Sequence, residues 1–172
     1  MKRILVLCTG NSARSVLAEG ILNGAYGDRF EAHSAGSNPT GRVNPMALAT
    51  LAAHGLPSTG YASQSWDAFA GPDAPPLDLV ITVCDSAAGE TCPFFPGPAT
   101  RAHWGIPDPA GAGGTPEEER AAFERAYDLL RARIDAFAAL PDDLPAGALA
   151  AELRRIGAMD GASPKALGQG AR

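Results

Sequence analysis

Ile4-Leu5-Val6-Leu7-Cys8-Thr9-Gly10-Asn11-Ser12-Ala13-Arg14-Ser15 joins an apolar run to a small-residue loop and then to a helix start. Ile4 to Leu7 is the core of a short buried strand over residues 3–8. Val16, Leu17, Ile21 and Leu22 then recur on one face of a helix over residues 13–26. Strand, tight loop and helix N-terminus form the repeating unit of open parallel sheets. Such a loop gathers unpaired backbone N–H groups at the positive end of a helix dipole, and so favours an oxyanion. The expected cradle is Thr9, Gly10, Asn11, Ser12, Ala13 and Arg14. Arg14 can fork onto two anion oxygens. Cys8 stands at the carboxyl end of the strand, where open α/β sheets place their sites, and the field that holds an anion also favours its thiolate. Ser15 could donate its hydroxyl to that sulfur. A strand-end cysteine alone is as readily a small buried apolar residue; the company of Arg14 and Ser15 points to a nucleophile.

The chain beyond this unit repeats the pattern. Phe30 to Ser34 alternates as a second strand, and Asn44 caps a helix that starts at Pro45 and runs to His54. A short helix is expected within Ser63 to Phe69. Leu77 to Cys84 is almost continuously apolar, which suits a central strand covered on both faces, and it again ends on a thiol. Asp85 to Pro98 is rich in Gly and Pro and carries Cys92. Arg101 to Gly105 is a short fourth strand. Thr115-Pro116-Glu117-Glu118 is a capping box, followed by Phe123, Tyr127, Leu130, Ile134 and Phe137 at helical spacing. A last helix runs from Ala146 to Ile156. Residues 158–172 show no periodicity and read as a disordered tail. The expected fold is α/β: one domain over residues 1–157, an open doubly wound, mostly parallel four-stranded sheet with helices on both faces.

Composition narrows the function. The 172 residues suffice for one domain with a core. The formal net charge of -5 means that an anion must be held by local donors; with no basic stripe, nucleic acid is not an expected partner. No apolar run nears the roughly 20 residues of a membrane span, and Met1-Lys2-Arg3 with its short strand does not read as a signal peptide. A cytoplasmic protein without membrane attachment is expected. Three cysteines, Cys8, Cys84 and Cys92, are an odd set for a structural disulfide framework, and their spacing with His33, His54 and His103 does not suit a metal. No metal or cofactor is expected. Redox or nucleophilic chemistry remains. It needs an acid for the leaving oxygen, and Asp108, fixed between Pro107 and Pro109 after the fourth strand, is the candidate.

Cys8 to Ser15 near the N-terminus with Asp108-Pro109 about a hundred residues later resembles the low-molecular-weight protein tyrosine phosphatase family. Ser34-Ala35-Gly36, Val43-Asn44-Pro45, Thr82-Val83-Cys84-Asp85, Cys92-Pro93 and His103 to Ala110 resemble its arsenate reductase branch, over residues 1–140. The resemblance implies a three-cysteine relay. Cys8 attacks arsenate, Asp108 protonates the departing oxygen, Cys84 displaces arsenite to form a Cys8–Cys84 disulfide, and Cys92 takes over Cys84. Phosphate or sulfate would compete as oxyanions. Cys84 and Cys92 are eight apart, so pairing them requires rearrangement of the intervening chain. Their spacing is one residue longer than in thioredoxin-coupled relatives, which leaves thioredoxin, glutaredoxin and a small thiol as reductants. The other branch implies an acid phosphatase hydrolysing phosphomonoesters through a Cys8 phosphocysteine. That branch carries a tyrosine after the Asp-Pro pair, where this chain has Ala110. Some relatives hold potassium through positions matching Asn11, Glu19 and Ser34; here Asn11 is expected to hold the shape of the loop.

Overall fold

The structure, a computed structural model, describes residues 1–89, 95–97 and 99–168. Its centre is a four-stranded sheet of β1 (Lys2–Leu7), β2 (Phe30–Ala35), β3 (Leu79–Thr82) and β4 (Thr100–His103), ordered β2-β1-β3-β4. All three pairings are parallel, so every strand delivers its carboxyl end to the same edge. Order reverses at β1, and Cys8 follows its last residue at that switch point, where ligand crevices form in open sheets.

Side chains alternate across the pleat, and the two faces bury different partners. Ile4 and Val6 of β1 with Leu79 and Ile81 of β3 enter the main core. That core also holds α1 (Arg14–Tyr26), α4 (Pro116–Ala138) and α5 (Ala146–Gly157). Helix α2 (Pro45–Ala53) packs on α1 and α4. Leu5, Leu7 and Val80 face the other way, against Leu77 and Phe95 and the 3-10 turn Trp66–Phe69.

The local signals hold where they are strong. Asn44 caps α2 by accepting the Met46 N–H, and Thr115 caps α4 by accepting that of Glu118. After Cys84, in the stretch rich in Gly and Pro, Asp85–Gly89 forms a helical turn, α3. From residue 158, where the sequence suggests a disordered tail, the first part of the segment is held. Buried Arg133 of α4 donates to the carbonyls of Met159 and Asp160, and the Ser163 N–H donates to Gly105 O. Among the described residues no helix is long and apolar enough to cross a membrane.

Candidate active site

The loop from Cys8 to Ala13 is fixed from three sides. Its start hydrogen-bonds β2 through Cys8 N–H to Ala35 O. Asn38 and Thr40 donate their N–H groups to the carbonyls of Thr9 and Gly10, and Asn44 to Ser12 O. These bonds turn the carbonyls outward. Among the described residues, none of the backbone N–H groups from Gly10 to Ser15 donates to a protein acceptor. Helix α1 begins directly after, with Ala13 at its cap, no side chain capping it and no acid in its first turn. Its orphan donors are therefore available to an anion in the loop.

Asn11 holds the loop from inside. It is fully buried and takes φ 44°, a left-handed conformation that asparagine tolerates better than most residues. Its Oδ1 accepts the Gln64 N–H, which fixes the orientation of the amide. Its Nδ2 then donates to Ser15 Oγ and Ser34 Oγ, each at 2.9 Å. Ser34 passes its own hydrogen to Glu19 Oε1 at 2.5 Å. Burial raises the Glu19 pKa, countered in part by that Ser34 bond. This arrangement does not fit the potassium ion held at matching positions in some relatives: a donor NH2 group, not an oxygen, lies between Ser15 and Ser34. Among the described residues no cluster of His, Cys, Asp and Glu is arranged to hold a metal. Ser15 Oγ accepts from Asn11 Nδ2 and keeps its own O–H as a donor.

Arg14 and Asp108 come together across the edge of the site. Arg14 Nη1 donates to Ile106 O at 2.9 Å, and Nη2 lies 3.6 Å from Asp108 Oδ2. Asp108 itself stays half-exposed and accepts the Ala110 N–H through Oδ1, a short turn enforced by the flanking prolines. The acid is thus tethered by its backbone but open to solvent.

Cys8 and Cys84 meet as well, both buried and both free thiols. Cys84 Sγ accepts the N–H groups of Thr9 and Ala87, each at 3.4 Å, beside the Cys8 thiol. The Cys8 thiol first, and then those two bonds, lower the Cys84 pKa to about 5. Cys8, beside the Cys84 sulfur and buried, is pushed up from its ordinary value. Arg14 favours the Cys84 thiolate further. Cys92 lies outside the described residues.

Four residues make contacts that were not legible in the sequence. Gln64 locks Asn11, and Ser63 Oγ donates to Gly10 O; both arrive from a segment some fifty residues downstream with no motif of its own. Gly36 lies so close to the loop that a Cβ would fall 2.6 Å from Cys8 O and nearer still to Thr9 O. Asp85, the fourth, bonds His103, Ser163 and Lys165.

Residues 3–146 match the family model for low molecular weight phosphotyrosine protein phosphatase. An arsenate reductase of Halalkalibacterium halodurans is 42% identical over 137 residues, 80% of this chain and 95% of that protein. The arsenate reductase of Bacillus subtilis is 40% identical over the same shares of both. The crystal structure of arsenate reductase from Archaeoglobus fulgidus superposes with a TM-score of 0.52 at 32% identity, covering 74% of this chain and 98% of that one. The chain thus belongs to the low molecular weight phosphotyrosine protein phosphatase family.

Proposed function

We propose that this protein is an arsenate reductase working through a disulfide relay. The observation that carries the reading is a second buried free thiol, Cys84, beside Cys8 at the base of the anion loop, its sulfur held on the Thr9 N–H. A phosphatase needs one thiol there; a second beside it supplies the electrons for a reduction. The relatives named arsenate reductase support the choice of oxyanion.

In this reading arsenate lies on the N–H groups of the loop and on Arg14. Cys8 attacks arsenic, passing its proton to the Cys84 thiolate. Asp108 protonates the leaving oxygen, which departs as water and leaves a Cys8–As(V) adduct. Cys84 then attacks the Cys8 sulfur and returns the proton to the arsenic oxygens. The S–As bonding pair stays on arsenic, which leaves as arsenite, As(III), while the two sulfurs form a disulfide. Cys92 attacks Cys84, freeing Cys8. The Cys84–Cys92 disulfide is reduced by thioredoxin, glutaredoxin or a small thiol. Hydrolysis of a phosphomonoester shares only the first half of this sequence, and Ala110 offers an aromatic substrate no ring to stack on.

The test is a thiol count. Fully reduced protein given equimolar arsenate without reductant should release arsenite and lose two thiols, mapped as Cys84–Cys92. Cys84→Ser should form the adduct and release no arsenite. Thiols that stay free in the wild type, with no turnover under any of the three reductant systems, would overturn the reading.

A further inference from the structure

Asp85 directly follows Cys84 and is the first residue of α3. It gathers three groups from distant parts of the chain. Its Oδ1 accepts His103 Nε2–H at 2.8 Å and the Ser163 hydroxyl at 2.5 Å; its Oδ2 accepts the Lys165 N–H at 3.2 Å. His103 closes on the sheet through Nδ1, hydrogen-bonded to Thr82 Oγ1 at 2.7 Å. Gly105 makes room for the cluster: a Cβ there would lie 2.8 Å from Asp85 Oδ1 and 2.7 Å from His103 Nε2, and nearer still to Ser163 Oγ. These bonds, led by those from Ser163 and His103, outweigh burial and keep the Asp85 carboxyl ionised.

Ser163 and Lys165 lie beyond residues 3–146, the part of the chain that matches the family model. They are brought to Asp85 by two anchors. Arg133 grips the carbonyls of Met159 and Asp160, and Ser163 N–H bonds to Gly105 O. The segment 159–165 therefore runs as a strap from the end of α5 to the turn that carries Cys84. Ala87, whose N–H supports the Cys84 sulfur, is in that turn.

We propose that this C-terminal strap is part of the redox machinery: Ser163 and Lys165, acting through Asp85, are positioning residues that hold the Cys84 turn closed with its sulfur on Cys8. This rests on the relay reading for its chemical purpose, since Cys84 must face Cys8 first and be handed to Cys92 afterwards. The His103 and Thr82 bonds fix the other side of Asp85 to the sheet, and the strap supplies the side that can be released.

Two arms test it on the full-length reduced protein. In the first, iodoacetamide labelling is followed by mass spectrometry at Cys84 and Cys8 without arsenate. Ser163→Ala should speed Cys84 labelling about tenfold, the scale of one lost hydrogen bond to a charged acceptor. Lys165→Pro, which removes the backbone donor together with the lysine side chain, should act in the same direction, and Ser163→Thr should label like the wild type. The far-UV circular dichroism spectrum and the urea midpoint, close to those of the wild type, certify the fold of each variant. In the second arm, in a Cys92→Ser background, Ser163→Ala should slow arsenate-driven Cys8–Cys84 disulfide formation. Wild-type labelling of Cys84 in both Ser163→Ala and Lys165→Pro, or Ser163→Thr labelling as fast as Ser163→Ala, overturns the proposal. If arsenate forms no disulfide even in the Cys92→Ser parent, the relay reading fails while the labelling arm still decides the strap.

Discussion

At Cys84 two backbone N–H groups converge on one sulfur, and the Cys8 thiol lies beside it. The consequence is a stability that depends on pH with a definite sign. Cys84 falls from its ordinary 9.0 to about 5 in the folded chain. Between those values the unfolded chain binds a proton at Cys84 that the folded chain does not, so stability rises with pH across the window and is lost as pH falls through about 5. Cys8 is shifted the other way. Above its ordinary value the unfolded chain sheds a proton that folded Cys8 keeps, so its contribution is lost as pH climbs further. Urea unfolding of reduced protein should show stability increasing from pH 6 to pH 8 relative to Cys84→Ser. Parallel curves for the two proteins over that interval would refute the assignment of the charge to Cys84. The residues of this pair were legible as strand-end thiols, because a strand's carboxyl end is set by local pattern. Their proximity was not, because it depends on the register that places β3 beside β1.

The elements that the sequence announced are those with local, repeated signals. β1 holds the buried aliphatic run Ile4 to Leu7 and β3 the run Leu79 to Ile81, and α4 has a five-residue apolar stripe behind a cap. Elements held by other parts of the molecule were harder to see. β4 is an edge strand with no buried side chain, and α3 is one turn long in a stretch whose composition resembles a loop. Gly36 was read as part of a motif, but only the fold shows that its missing side chain lets β2 pass against the loop carbonyls. The cap of α4 gives a prediction at this scale. Thr115 Oγ1 accepts the Glu118 N–H at 3.1 Å on an exposed helix end. Thr115→Ala should cost about 1 kcal/mol, measured by chemical denaturation, with Thr115→Ser close to the wild type. A loss well below about half a kcal/mol would mean that water replaces the cap without penalty.

Across the whole molecule, one buried charge joins the family fold to the strap. Arg133 is fully buried in α4, and its guanidinium is satisfied by carbonyls alone: Leu129 O, Met159 O and Asp160 O. Its Nε has no partner among the described residues, and burial lowers its pKa. Taking such a charge out of water costs several kcal/mol, and hydrogen bonds to carbonyls return about 1.5–3 kcal/mol each, so its net contribution to global stability is small. Its effect is instead local, on the segment it grips. No periodicity in residues 158–168 announces this, because the information lies in an arginine 26 positions earlier than Met159. Arg133→Met keeps the length and apolar bulk of the side chain and removes the charge and donors. Global stability by urea should then move by no more than about 2 kcal/mol in either direction. The amides of Ser163 and Lys165, bonded to Gly105 O and Asp85 Oδ2, should exchange with solvent at least about tenfold faster, while those of Leu5 and Val6 in β1 follow global unfolding only. Cys84 labelling should quicken with them, because the strap and the Cys84 turn share Asp85. If Ser163 and Lys165 slow or speed only in step with Leu5 and Val6, Arg133 belongs to the global core and the strap has no stability of its own.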